Sequence, residues 1–502
     1  MAYLPLKIPP GVVRPGTVYS ARGRWYSTQL VRWFEGSMQP FGGWQRLKDS
    51  DDADVALGGP ARGVAAWRDN AGTPHIAFGL SDTLYEFHLG TLTDITPVGF
   101  TAGQADASQS SGSYNNGAYG SGAYGGGDTS QVTITEAQTW QFDTFGEDLV
   151  AVAYSDGHIY HWEKSAGGAA AALSNAPTGC AAVVVTPERF VVALGAGGDG
   201  RYLQWSDQEQ ATSWDLTDPT TQAGDFTLPG SGRLVAGRRS RTETLLWTDT
   251  GLFAMRYIGG VLVYSFQELG SGCGAISRRS MVVQGERAIW MGHHAFHGYD
   301  GYVQTLPSAV ADYVFSDLNR TKASKIWAET RSEFSEVIWH YCSAGAKEND
   351  RYVAYNYELQ VWYIGQLERV GGVDRGALDT PLAVDSLGAV YQHEFGTSYL
   401  DTDGATDLVP SAESGPIEIG EGDRLYSIRQ IIPDEQTLGD LSLTLLAGNY
   451  PNAKESMHGP YSAADPTSVR VTTRQVRLKV SQVNPGWRLG TPRLEAVLSG
   501  RR

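Results

Sequence analysis

The chain has 502 residues, of which 41% are hydrophobic and only 19% charged, with 61 glycines, 14 tryptophans and 25 tyrosines; that length exceeds a single core, and that composition suits many short strands joined by glycine turns rather than a helical bundle. The net charge of −16 is unevenly spread: residues 1–50 carry +5 and residues 405–502 carry zero, which leaves −21 for residues 51–404. A body that acidic is a poor nucleic-acid binder, because such binding neutralises phosphates with Lys and Arg; the charge serves plain solubility or a wall that DNA slides past.

No segment has the apolar length to span a membrane, so no membrane insertion is expected. The start, Met1 to Pro10, lacks a signal-peptide core, which implies synthesis in a cytoplasm. Cys180, Cys273 and Cys342 are too few and too far apart for a disulfide framework or a thiolate zinc site, and read as buried thiols.

Residues 1–22 are punctuated by Pro and Gly and read as an extended arm that lies on its own domain or reaches a neighbour. Arg24-Trp25-Tyr26 follows. Leu30-Val31-Arg32-Trp33-Phe34 is a strand, Glu35-Gly36 a turn, and a second short segment runs through Pro40 to Gly42-Gly43-Trp44. The two glycines permit close backbone approach, and Trp44 can lie flat over it. Residues 1–50 thus form an arm and a hairpin with an aromatic clasp.

From Arg62 a pattern of short strands and tight turns sets in: Gly63–Trp67, His75–Gly79, Thr83–Phe87 and Leu92–Thr96 make one four-stranded unit. Similar units recur roughly every 40–50 residues, as the blades of a propeller do. Turns such as Ser155-Asp156-Gly157 and Tyr299-Asp300-Gly301 supply the positive φ of tight hairpins. The body, residues 51–404, is predicted to be an all-β propeller of about seven blades, with six or eight compatible with the spacing. Residues 101–130 interrupt it with a Gly/Ser/Ala/Tyr-rich insertion. That stretch is either a flexible loop or one that orders against a neighbouring subunit through Tyr114, Tyr119 and Tyr124.

Residues 405–502 change character. Asp423–Arg429, Leu441–Ala447 and Arg474–Val480 alternate apolar with polar residues, the period of strands buried on one face. They predict a C-terminal antiparallel β-sandwich.

Candidate chemistry is sparse. His293-His294-x-x-His297 suggests metal, but neighbours on a strand face opposite sides and no acidic frame completes a site. Turn aspartates such as Asp249 and Asp300 do not match an EF-hand loop. Gly125-Gly126-Gly127 lacks the Lys-Ser/Thr of a phosphate loop, and no Gly-x-Ser-x-Gly elbow occurs. No catalytic residue, metal or cofactor is expected.

The N-terminal motif resembles that of the tail nozzle (tail hub) proteins of short-tailed bacteriophages. Arg24-Trp25-Tyr26, Leu30-Val31-Arg32-Trp33, Gly36 and Gly42-Gly43-Trp44 match it residue by residue. The ending, Arg474-Gln475-Val476-Arg477-Leu478 then Trp487-Arg488-Leu489-Gly490, is similar to the C-termini of such proteins. The resemblance implies a structural virion protein without enzymatic activity, made in the host bacterial cytoplasm and placed in the tail. It implies a homo-oligomeric, six-fold (hexameric) ring below the portal and adaptor, above a tail needle or fibres, forming part of a conduit that passes DNA without binding it specifically. The alternative is a carbohydrate-binding or carbohydrate-degrading propeller in which Trp205 and Trp247 stack on sugars.

Overall fold

The computed structural model of the chain describes residues 2–110, 133–400, 408–419 and 424–500. Its body is a seven-bladed β-propeller. Six blades follow one another in sequence, each a four-stranded antiparallel sheet; they begin at Gly63, Trp140, Ala182, Leu234, Met281 and Trp327. The seventh combines Gly371–Val373, Leu382–Val384 and Val390–His393 with Trp44–Arg46 from the far end of the chain. The ring is therefore closed by a strand that pairs His393 with Trp44 and Tyr391 with Arg46.

The strands are apolar on both faces because each sits between neighbouring blades. Along Leu149–Ala153, Leu149, Ala151 and Ala153 join a core with Trp67 and Trp140, while Val150 and Val152 join a different one with Val183 and Val185. Strand alternation thus feeds two inter-blade cores at once. Tryptophan indoles staple the seams. Trp67 donates to the carbonyl of Glu147 in the second blade at 2.9 Å, and Trp140 donates back to Leu80 beside the first blade at 2.6 Å. Trp327 in the sixth blade donates to Arg369 at 3.0 Å, and Trp339 to Ser280 at 2.9 Å.

The C-terminal region forms two antiparallel sheets packed as a sandwich. One orders Ala2–Pro5, Arg493–Gly500, Leu425–Ile432 and Thr467–Thr473; the other orders Trp25–Gln29, Ser411–Ser414, Gln475–Gln482, Leu441–Gly448 and Ser456–Ser462, with Ile417–Glu418 also on Gln475–Gln482. Leu443, Leu445, Val476, Val480, Ile428 and Leu494 fill the space between them. The first fifty residues, read from sequence as a separate arm and hairpin, are instead shared out. Ala2–Pro5 and Trp25–Gln29 are sandwich strands, the hairpin bridges, and Trp44–Arg46 belongs to the propeller. The physical reason is edge satisfaction: both sheets gain an outer strand, and the ring gains its last one. No helix is long and apolar enough to cross a membrane among the described residues.

Candidate functional site

The N-terminal motif is an internal clasp between the propeller and the sandwich. Its hairpin pairs Val31 with Pro40 and Trp33 with Met38, and turns at Glu35 and Gly36, whose φ values are 49° and 78°. Leu30, Val31, Trp33 and Trp25 are buried in one core with Tyr352, Tyr363 and Leu489. Met38 and Leu489 exchange backbone hydrogen bonds, of 3.2 and 2.9 Å, with the sandwich side. Thr28 Oγ1 donates to Ile364 O at 2.6 Å on the sixth blade. Arg24 Nη2 donates to Pro10 O at 3.3 Å, and Tyr26 lies beneath the guanidinium of Arg14 at 4.7 Å.

Arg32 is the centre of this clasp, with 1% of its side chain exposed. Its two terminal nitrogens donate to both oxygens of Glu394 at 3.0 and 2.6 Å, and its Nε lies 3.1 Å from Glu336. Phe334 and Phe41 cover its faces at 3.7 and 4.3 Å. One guanidinium serves two carboxylates, and they separate: Glu394 is held below its usual range despite burial by the charge and hydrogen bonds of Arg32, whereas burial pushes Glu336 up to about 7. Glu394 also accepts from the Gly42 amide at 2.8 Å. A Cβ on Gly42 would stand 2.6 Å from the Glu394 Cα, and one on Gly43 2.6 Å from the Ser398 carbonyl, so both positions require glycine. Trp44 then stacks on His393, with ring centroids 5.2 Å apart, beneath the Arg369 guanidinium. The structure brings the motif residues together and buries most of them within this chain. The partners Glu394, Glu336, His393 and Arg369 escaped the sequence reading, because nothing local marks residues that meet only after the ring closes.

A second site lies on the propeller face formed by the turns after each blade's second strand and the entries to the next blade. There a cavity of about 970 Å³ spans blades two to six, with Tyr154, Asp199, Arg233, Arg278, His293 and Arg320 on its wall. Gly157, Gly179 and Gly198 pack backbone on backbone along one side. Its acids already have partners. Asp156 accepts from Tyr160 Oη at 2.5 Å and His158 N at 3.1 Å; Asp199 accepts from Arg201 N at 3.0 Å, Asp249 from Arg233 N at 2.7 Å, and Glu136 pairs with Arg278. Arg278 also lies 3.3 Å above the Tyr154 ring. Burial pushes the Cys180 thiol in this wall up to about 12, which keeps it protonated.

The insertion rises from this same face. Ser108–Ser110 pairs with Thr133–Thr135, and Ile134 and Glu136 line the cavity. Residues 103–107 lead across the ring, pinned by Arg62 to Ala105 O at 2.6 Å and by Lys322 and Lys325 to Asp106 at 2.6 and 2.7 Å. Glu348 binds Arg62 and Lys325 at 2.8 and 2.6 Å. This charged knot sits at the entries to the first and sixth blades, on the same face as the cavity. Tyr114, Tyr119 and Tyr124 lie outside the described residues.

The histidines of the metal-like motif are not brought together: His293 and His294 sit in an exposed turn, whereas His297 is buried on its strand against Trp290, with centroids 5.6 Å apart. Among the described residues, the group with metal-ligand proximity is instead His75, Glu86 and His88, whose donor atoms lie within 4.8 Å of one another. His75 spends its nitrogens on Glu86 at 2.8 Å and Asp69 at 3.5 Å, and its ring is stacked 3.9 Å from His88 at 7°. Parallel rings do not aim their lone pairs at one point, so the arrangement is a hydrogen-bonded stack. Trp205 and Trp247 are buried, at 4% and 0% exposure, and offer no face to a sugar.

No family model and no curated protein matches the chain. Among solved structures it is similar to a streptogramin B lyase, with 8% identity over 70% of this chain and 96% of that one and a TM-score of 0.40. It is also similar to the virginiamycin B lyase from Staphylococcus aureus, with 8% identity, 70% and 98% coverage and a TM-score of 0.40. A third is the Neurospora crassa Pan2 WD40 domain, with 9% identity, 72% and 95% coverage and a TM-score of 0.39.

Proposed function

We propose that this chain is a structural subunit of a tail nozzle ring in a short-tailed bacteriophage, lying in the virion tail below the portal and adaptor and above a needle or fibres. The observation that carries the reading is the clasp. The residues that resemble the nozzle motif, Arg24 to Trp44, are the ones that join the propeller's closing strand to the sandwich. A conduit protein needs that stiffness, since a subunit whose two parts hinge cannot hold a bore open. The Arg62–Glu348–Lys325–Asp106 knot stands at the blade entries and a propeller's own channel is commonly narrow, so in this reading DNA runs along the ring axis between subunits. The cavity acids are each held by a partner, which suits a recess for a neighbouring segment better than a reaction centre.

The test is the mass of the purified full chain by mass photometry, alone and after addition of the adaptor, followed by electron microscopy of the product. Six-fold rings support the reading. A chain that stays monomeric with adaptor and degrades or binds polysaccharide overturns it.

A further inference from the structure

The outer hairpin of the fourth blade ends in a bare apolar tip. Its strands, Gly251–Tyr257 and Tyr264–Ser271, run two residue pairs beyond Thr244, where the blade's second strand begins. The connection between them carries Ile258, Val261 and Leu262 at 54%, 101% and 72% exposure, and no residue from Tyr257 to Phe266 is charged. The base is braced by the third blade. Tyr264 Oη shares a 2.9 Å hydrogen bond with Thr186 Oγ1, and its ring meets Phe190 and Trp205 edge-on at 5.4 Å. Phe266 stacks on Phe226 at 4.1 Å. Val263 closes the turn with φ 51°, its O accepting from Ile258 N and Gly259 N at 2.9 and 3.1 Å. A β-branched residue holds that backbone region only where its surroundings fix it, so the tip is shaped before a partner arrives. Single exposed leucines are ordinary; three large apolar side chains projecting together from a fixed turn mark a contact surface.

The tip and the large cavity lie on opposite faces of the propeller. In the fourth blade Arg233 and Leu234, at the start of the first strand, and Asp249, between the second and third, line the cavity. The connection between the third and fourth strands therefore opens on the other face. The cavity, of about 970 Å³, leaves Ile134 and Tyr154 exposed on its wall, beside Val235 and Ile276. Charge is complementary too. Next to the tip, Phe190 lies 6.0 Å from Tyr257, and Glu209 N donates to Arg189 O at 2.9 Å. There Arg256 is spent on Glu243 and Arg189 lies over Phe145, which leaves Glu188 and Glu209 without an ion-pair partner among the described residues. On the cavity side Arg278 is spent on Glu136, while the exposed Arg233 and Arg320 have no carboxylate partner among the described residues.

We propose that the Ile258–Val263 tip of one copy seats in the cavity of the next copy of this chain, joining subunits head to tail. A contact between opposite faces is heterologous: each copy gives a tip and receives one, and a suitable rotation closes the series into a ring. The tip covers Ile134 and Tyr154, and Glu188 and Glu209 meet Arg233 and Arg320 at the rim. This contact rests on the ring reading above and supplies the joint between its subunits.

The test mixes two full-length chains with adaptor under mild oxidation, one carrying Leu262→Cys and the other Ser155→Cys, a cavity residue. The native cysteines are buried. A disulfide-linked pair is expected from the mixture and from neither chain alone, and a chain with both substitutions is expected to give a ladder of linked copies. Val261→Asp with Leu262→Asp changes exposed positions only. It is expected to leave Tm unchanged and to raise the concentration for half-assembly at least tenfold. Rings that form from this variant at the natural concentration, or rings without the mixed disulfide, overturn the contact and leave the ring reading standing. A natural chain that stays monomeric with adaptor overturns both. Vesicles of phosphatidylcholine and phosphatidylglycerol that bind the natural chain and not the Asp variant, while both assemble equally, assign the tip to a lipid surface and overturn the contact as well.

Discussion

Replacing Arg32 with Met tests the clasp most directly. The guanidinium is 1% exposed, grips Glu394 through two hydrogen bonds, contacts Glu336 and is sandwiched by two phenylalanines. Methionine keeps the apolar stem between Phe41 and Phe334 but leaves Glu394 buried and facing Glu336. Removing one partner of a buried ion pair costs about 3–5 kcal/mol, most of it from the charge left behind. The lower end applies here, because Glu394 keeps the Gly42 amide and Glu336, with its carboxyl near 7, takes up a proton at small cost. Urea unfolding followed by tryptophan fluorescence, with pulse proteolysis as a second probe, measures the loss. The double variant Arg32→Met/Glu394→Gln has no stranded Glu394 charge and is expected to recover at least half of it. A single-variant loss under about 1 kcal/mol, or a double variant no better than the single, refutes the stranded-charge account.

Glu336 titrates against habit. Its folded value, about 7, lies above the ordinary 4.5, so the folded chain holds a proton that the unfolded chain releases between those values. The stability it adds is fully present below about pH 4.5 and is lost as pH rises towards 7; Glu336→Gln is expected to flatten that slope in a series of urea midpoints. Deleting residues 1–10 removes the strand that covers Arg493–Ala496. The sandwich is then expected to lose protease resistance before the propeller does, and the exposed edge to promote association; an unchanged digestion pattern and mass sink this expectation. In a ring structure the inward surface is expected to carry clearly more Asp and Glu than Lys and Arg. Reversing several of those acids to Lys is expected to slow DNA ejection most at low salt, and a neutral or basic bore counts against the conduit charge.

The propeller was legible in the sequence because its code is local. Short apolar runs such as Leu149–Ala153 and turns such as Asp300-Gly301, where Gly301 has φ 81°, carry their structure within a few residues. The same locality explains what was missed. The seventh blade is incomplete within its own stretch of sequence because its outer strand is Trp44–Arg46, and Gln45 meets Gln392 across 347 residues. Ala2–Pro5 looked like a loose arm because nothing in Ala-Tyr-Leu-Pro names Arg493–Ala496 as its partner. Gly42-Gly43-Trp44 was recognisable as a site of close approach, and Glu394 and Ser398 are what approach it. The Arg32–Glu394 and Arg62–Glu348 pairs leave no trace in spacing, since each joins residues brought together only by ring closure.

The sign of the charge also changes with position. Residues 51–404 sum to −21, yet the entries to the first and sixth blades gather Arg62, Lys322 and Lys325 around Asp106 and Glu348. The acids in excess therefore lie elsewhere in residues 51–404. Duplex DNA is on the order of 20 Å across and is shed by acids and held by bases. A propeller's own channel, commonly narrow and here bordered by Arg62, Lys322 and Lys325, is the wrong place for its passage on both grounds, of width and of sign. If the chain lines a conduit, the outer flanks must do so, with several copies set around a bore whose charge repels phosphates within a Debye length of about 8 Å. The clasp then has a mechanical reason to be buried. The flank facing the bore can hold its position only if the propeller and the sandwich behind it move as one body, and Arg32 ties a hairpin between them.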